Sequence, residues 1–173
     1  MQSQLVFQEK KERERLRVQN KLLSQAEKPA LEYFFKGKSE LSVLDIGCND
    51  GNRTFQRFSD KRVSRVIGLE YNQELVEKAH RQYGNSKFFF YQMDVESQSF
   101  SKDLQNLMDA SAGGQFDLIC LSFVLMHLLD GKKLLRILEQ FLKKDGVLFI
   151  TESNDCASTL VPDEKNLLEQ FLD

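Results

Sequence analysis

From Ser42 onward the chain repeats one pattern: a short apolar run, a loop, then apolar positions three and four apart. Apolar runs of this length read as strands covered on both faces, and the wider spacing reads as amphipathic helices. Strands fall at 42–46 (SVLDI), 65–70 (RVIGLE), 87–94 (KFFFYQMD), 116–123 (FDLICLSF) and 147–152 (VLFITE). Between them the spacing predicts a helix opening near Asn52, one from Gln73 to about Tyr83, and one around Leu104, Leu107 and Met108. The clearest helix carries Leu134, Leu135, Ile137, Leu138, Phe141 and Leu142 on one face, with Lys143 and Lys144 on the other, and Gly146 is expected to end it. Upstream, the charge-dense residues 8–28 read as a helix with a solvated face. A second short helix is expected to open at Pro29 and stop at Gly37. A last helix is expected from Pro162, with Leu167, Leu168, Phe171 and Leu172 apolar.

This alternation predicts an α/β fold: a doubly wound, mainly parallel sheet of about five strands with helices on both faces. Residues 1–40 read as a helical extension and 41–173 as the core. Right-handed crossovers place every strand-to-helix loop at one edge of such a sheet. Ligands bind at that edge, where the strand order reverses, and the first strand carries the glycine loop expected at the reversal.

Composition narrows the partners. The 24 Lys+Arg against 26 Asp+Glu give a net charge of -2, which disfavours nucleic acid as the main partner. No apolar run reaches the roughly 20 residues needed to cross a bilayer, so no membrane role is expected. The N-terminus lacks the apolar stretch of a secretory signal. Cys48, Cys120 and Cys156 form no CxxC pair, and a reducing cytoplasm is the expected address. No His, Cys and carboxylate cluster suggests a metal site.

The chemistry concentrates in Asp45-Ile46-Gly47-Cys48-Asn49-Asp50-Gly51. A dinucleotide fingerprint would require glycine at 47, 49 and 52, and these positions read Gly47, Asn49 and Asn52. Asp45 would also set a carboxylate beside a pyrophosphate, so a nicotinamide-dependent oxidoreductase is the weaker reading. No phosphate-binding G-x-x-x-x-G-K-[ST] loop occurs. A carboxylate beside a glycine turn suits a ligand that is cationic there. Glu70, 19 residues after Gly51, ends the second strand where an acid can accept from both ribose hydroxyls. Asp94 ends the third strand and can accept from an adenine amino group.

In order and spacing, VLDIGCNDG, VIGLE, Phe90-Tyr91-Gln92-Met93-Asp94 and FDLICLSFVLMHL resemble the motifs of class I S-adenosylmethionine-dependent methyltransferases of the small-molecule type. The resemblance covers residues 42–152 and implies a Rossmann-like core binding S-adenosyl-L-methionine and releasing S-adenosyl-L-homocysteine. It implies that Gly47, Cys48, Asn49 and Gly51 wrap the methionine part, with Asp45 orienting the loop and the ammonium. Glu70, with Tyr71 beside it, would hold the ribose, Asp94 with Val95 the adenine, and Ser122 with Phe123 the other flank. Asn49 stands where the family usually has glycine, and asparagine tolerates left-handed backbone better than most residues. Arg15 and Gln19, on a stretch that resembles a lid helix of some members, would reach the methionine carboxylate.

For the acceptor, no [DN]-P-P-[YF] motif and no Pro-Cys pair is present, which leaves a small molecule attacking through oxygen or nitrogen. His127, just past the fourth strand with Asp130 three residues on, is the candidate catalytic base. The family sheet ends in an antiparallel hairpin that this chain is expected to lack, leaving one sheet edge open. Two readings of that edge stay open: the chain is a piece of a larger enzyme, or a second copy covers it as a homodimer. A cofactor-binding domain without turnover is the alternative function.

Overall fold

The computed structural model describes Asn20, residues 23–110 and residues 113–152. Helix α1 runs through 23–35 and is followed by β1 (Leu41–Ile46), α2 (Asn52–Phe58), β2 (Val63–Glu70), α3 (Gln73–Tyr83) and β3 (Phe88–Gln92). Then come α4 (Phe100–Ala110), β4 (Phe116–Ser122), a 3₁₀ turn (Leu125–His127), α5 (Gly131–Glu139) and β5 (Leu142–Thr151). The helix expected from Pro162 lies outside the described residues.

All strand pairs are parallel, in the order β3-β2-β1-β4-β5. The chain therefore winds outward from β1 in one direction, then crosses to β4 and winds in the other. Every residue of β1 is buried, as a central strand covered on both faces requires. Alternation along the strands sorts the core into two layers. Leu41, Val43, Leu118 and Cys120 face α1, α2 and α3. Leu44, Ile46, Ile119 and Leu121 face α4 and α5.

Two expectations are corrected. Pro29 lies inside α1 and does not open a second helix. Its missing N–H removes at most one helical hydrogen bond, while Leu31 and Phe35, one turn apart and buried, keep the segment on the sheet. Helix α5 stops at Glu139, short of the expected Gly146. Phe116 N–H donates to Phe141 C=O at 2.9 Å, and Leu142 pairs with Phe116, so the sheet captures both residues. The next pair is Leu118 with Val147, so two steps along β4 match five along β5 and Lys143–Gly146 bulge out. At the other end, β3 stops at Gln92, which leaves Asp94 in the loop beyond it.

Candidate active site at the carboxyl edge of the sheet

The loop after β1 turns through three left-handed residues: Gly47 (φ 72), Asn49 (φ 52) and Gly51 (φ 75). A Cβ on Gly47 would lie 2.7 Å from Val124 Cγ2, and one on Gly51 would lie 2.8 Å from Ala79 Cβ. Both glycines are therefore fixed by conformation and by space. Every amide from 47 to 52 donates inside the protein. Gly47 and Cys48 donate to Leu69 C=O, at 2.8 and 3.0 Å, and Gly51 to Cys48 C=O at 3.0 Å. Asn49 donates to Glu70 Oε2 at 3.0 Å, Asp50 to Asn49 Oδ1 at 2.7 Å and Asn52 to Asp50 Oδ1 at 3.3 Å. A pyrophosphate held at such a turn needs free amides, and this loop has committed all of them.

The loop instead sits in a negative field. Burial, and then the charges of Asp45, Glu70 and Asp50, push the Cys48 thiol far up, so it stays protonated and is no nucleophile. Glu70 joins the loop to the turn after β2, because its Oε1 accepts from Asn72 N–H at 3.0 Å while Oε2 holds Asn49. Its oxygens keep spare lone pairs for a hydroxyl. Asp50 is paired with Lys78 Nζ at 2.7 Å.

Asp45 lies deeper than the sequence suggests. Its side chain is buried, accepts from Thr54 Oγ1 at 2.6 Å and faces Arg57 Nη1 at 3.8 Å. Burial raises its carboxyl, and Arg57 and Thr54 only partly oppose that. Arg57 Nη1 also donates to Ser122 Oγ at 3.2 Å, which brings the ends of β1 and β4 together through one guanidinium. Phe123 is left-handed (φ 56) and donates its N–H to Thr151 C=O at 2.8 Å. Asp94 and Val95 stand in the loop after β3, which Met93 N–H ties to Glu70 C=O at 2.9 Å. Asp94 is exposed and caps its own turn by accepting from Glu96 N–H, and Tyr71 is 71% exposed. Arg15 and Gln19 lie outside the described residues.

The sequence reading missed a buried polar network beneath this edge. Glu27 of α1 is 5% exposed and accepts from Arg53 Nη2 at 2.5 Å and Thr151 Oγ1 at 2.6 Å, with Arg57 Nε 3.5 Å away. Burial would raise its carboxyl, yet Arg57, Thr151 and Arg53 together hold it below the usual range. The signal available was Arg53 and Arg57, four apart, which one face of a short helix carries toward the sheet. Glu152 was missed as well. Its Oε1 accepts from the Val124 and Leu125 amides at 3.0 and 2.8 Å and pins the loop after β4.

His127 ends the 3₁₀ turn on that loop and is exposed. Asp130, three residues on, accepts from Lys133 N–H at 2.9 Å through Oδ1 and caps α5. Among the described residues no group of His, Cys, Asp and Glu could hold a metal ion, and no helix is long and apolar enough to cross a membrane.

Solved structures share this architecture. The plantazolicin methyltransferase BpumL, in complex with a triazolic analogue and SAH, superposes with TM-score 0.61 at 20% identity, covering 80% of this chain and 48% of that one. An S-adenosylmethionine-dependent methyltransferase from Mesorhizobium loti gives 0.56 at 22% identity, covering 73% and 54%. The [4+2]-cyclase SpnF gives 0.55 at 17% identity, covering 70% and 42%. The chain thus spans about half the length of these relatives. No curated protein matches the sequence significantly. The family model for a methyltransferase domain matches residues 13–171, nearly the whole chain, and on that match, with the parallel sheet and its glycine loop behind it, the chain belongs to the methyltransferase domain family.

Proposed function

We propose that this chain binds S-adenosyl-L-methionine at the carboxyl edge of β1, β2 and β4 and transfers its methyl group to a small-molecule oxygen or nitrogen acceptor. The observation that carries this reading is the loop over 47–52, whose amides are all spent while Glu70 at its edge keeps acceptor capacity. Such a turn suits a ligand with a cationic amino-acid part and no phosphate. When bound, the cofactor supplies an electrophilic methyl group on a sulfonium.

The chain's own residues provide orientation and a shaped surface. Glu70 accepts from ribose hydroxyls while holding the loop through Asn49. Asp45 acts from below as a positioning residue, because its oxygens are occupied by Thr54 and Arg57. Tyr71 stands beside Glu70 at the ribose, Asp94 and Val95 border the adenine end, and Ser122 and Phe123 the other flank. His127 is exposed and unpaired among the described residues, free to take a proton from an acceptor that must lose one. Arg15 and Gln19 remain proposed partners of the methionine carboxylate. A cytoplasmic address suits the free, buried thiols of Cys48 and Cys120. Val147 and Ile150, exposed on β5 at one edge of the described sheet, are the surface a second copy would cover.

The test is titration calorimetry with S-adenosylhomocysteine, followed by assay of labelled methyl transfer to amine, phenol and carboxylate panels. Binding with product supports the reading, and absence of binding to folded protein overturns it. Binding without product supports the second reading, a cofactor-binding domain without methyl transfer. That reading is favoured by a cyclase among the structural neighbours and by the relatives' greater length.

A further inference from the structure

We infer that Glu27 of α1 is a positioning residue for the carboxyl edge of the sheet, through which docking of α1 and binding of the cofactor strengthen one another; this rests on the cofactor reading above and names what regulates that site.

Helix α1 meets the sheet along one stripe, Glu27, Leu31 and Phe35, each four residues from the next and all buried. Between 23 and 30, Glu27 is the buried residue and its neighbours are half-buried or exposed. Docking alone does not call for a carboxylate there. A well-packed apolar side chain commonly stabilises as much as a buried ion pair, or more. What the carboxylate adds is direction, because it fixes groups on two other elements at defined points.

Both groups lead to the ligand edge. From β5, Thr151 Oγ1 donates to Glu27 Oε1 at 2.6 Å. The same Thr151 accepts from Phe123 N–H through its C=O and stands in register with Ser122. From α2, Arg57 Nε lies 3.5 Å from Glu27 Oε2, while Nη1 donates to Ser122 Oγ at 3.2 Å and stands 3.8 Å from Asp45 Oδ1. Arg57 Nε and Nη2 make no hydrogen bond, so charge aims this guanidinium, with Glu27 on one side and Asp45 on the other. Loss of Glu27 leaves Asp45 as the carboxylate facing Arg57, and a guanidinium drawn onto Asp45 is displaced from Ser122. Ser122, Phe123 and Asp45 are residues proposed above to flank or position the cofactor. Glu27 therefore acts on the site through Thr151 and Arg57. Linkage makes the effect reciprocal: a site that needs the docked helix tightens that helix when it fills.

The experiment uses the full chain with S-adenosylhomocysteine as the probe. It reads affinity by calorimetry and hydrogen exchange of the α1 amides over 23–35. In the wild type, saturation is expected to slow α1 exchange by about ten-fold. Glu27→Gln is expected to weaken S-adenosylhomocysteine by about ten-fold and to lose most of that slowing. Thr151→Val removes the hydroxyl that donates to Glu27 and is expected to weaken binding, whereas Thr151→Ser keeps the hydroxyl and should stay near wild type. Gly146→Ala controls for lost stability, since it strains β5 against Phe116 at the opposite edge, and it should leave both readouts at wild-type values. Wild-type binding with α1 exchange unmoved would overturn the role of Glu27, and that measurement needs no variant. Unchanged affinity in Glu27→Gln, equal losses in Glu27→Gln and Gly146→Ala, or Thr151→Ser as weak as Thr151→Val would each overturn it too. Absence of S-adenosylhomocysteine binding to the folded wild-type chain would instead overturn the cofactor reading itself, and this role with it.

Discussion

Glu27 and Asp45 face the same arginine with opposite outcomes. For both, burial is the largest influence and raises the carboxyl. At Asp45 it wins, because Arg57 stands 3.8 Å away and Thr54 is a neutral donor. At Glu27 it loses to the combined effect of Arg57, Thr151 and Arg53. A carboxyl held below its ordinary value of 4.5 stabilises the fold above that pH, and the contribution fades as pH falls through the lowered value. The stability gap between wild type and Glu27→Gln should therefore be widest near neutrality and close below pH 4.5, as urea unfolding across that range will show. A gap that is flat with pH would mean that folding leaves the Glu27 carboxyl unshifted, and one that narrows as pH rises would mean that burial wins there as it does at Asp45. Asp45 has the reverse sign, since its raised carboxyl favours the folded state as pH falls, and Asp45→Asn should remove that trend. Full truncation, Glu27→Ala, takes from Arg53 its carboxylate partner and leaves Arg57 with Asp45 and Ser122, and should cost about 3 kcal/mol. At Gly47, alanine must adopt φ 72 and meet Val124. Gly47→Ala should cost roughly 1–2 kcal/mol for the backbone, read as a lower urea midpoint at unchanged slope, and more if Val124 cannot move.

At the scale of elements, α5 and β5 show how far the pattern reached. Phe141 and Leu142 extend the apolar spacing of α5, so one-dimensional periodicity assigns them to the helix. Pairing with Phe116 claims them for the sheet, and that competition is decided by a residue 25 positions away from Phe141. The resulting bulge brings Gly146 so close to β4 that a Cβ would lie 2.9 Å from Phe116 O. Gly114, nearby in sequence to β4, would meet nothing within 4 Å. Gly146→Ala should therefore destabilise by about 1–3 kcal/mol and Gly114→Ala by no more than about 0.5 kcal/mol, compared by thermal unfolding. Equal effects would remove the bulge from the account. The strands were legible because burial on both faces demands unbroken apolar runs, and the glycine loop because Gly47, Asn49 and Gly51 are residue types that accept positive φ. Glu27 was illegible because it lies in a charge-rich segment where solvation is the ordinary fate, and only the docking of α1 over α2 and β5 buries it. Glu152 reads as a polar strand end until the loop after β4 is folded against it.

At the scale of the whole molecule, the sheet reverses its winding between β1 and β4, and the loops that leave those strands meet there. Many parallel sheets bind nucleotide cofactors at such a reversal, so topology alone does not separate a methyl donor from a dinucleotide. Hydrogen-bond accounting does. A pyrophosphate requires donors, and the six amides from 47 to 52 are already satisfied within the protein. Taking them back would unmake the ties to Leu69 and Glu70 that hold the loop on β2. On the function proposed above, S-adenosylhomocysteine would draw on the acceptor capacity of Glu70 and leave these amides in place. At a concentration 100-fold above its Kd, a ligand specific for the folded state adds about 2.7 kcal/mol. For a chain of this size that should raise Tm by roughly 5–10 °C, whereas NAD at the same concentration should leave it in place. Glu70→Ala removes both the proposed ribose acceptor and the tie to Asn49, so it should abolish most of the S-adenosylhomocysteine shift. Glu70→Gln keeps a carbonyl for Asn49 and should retain part of it. A shift with NAD equal to that with S-adenosylhomocysteine would show that the loop releases its amides to a phosphate, and the choice between the two cofactors would then go the other way.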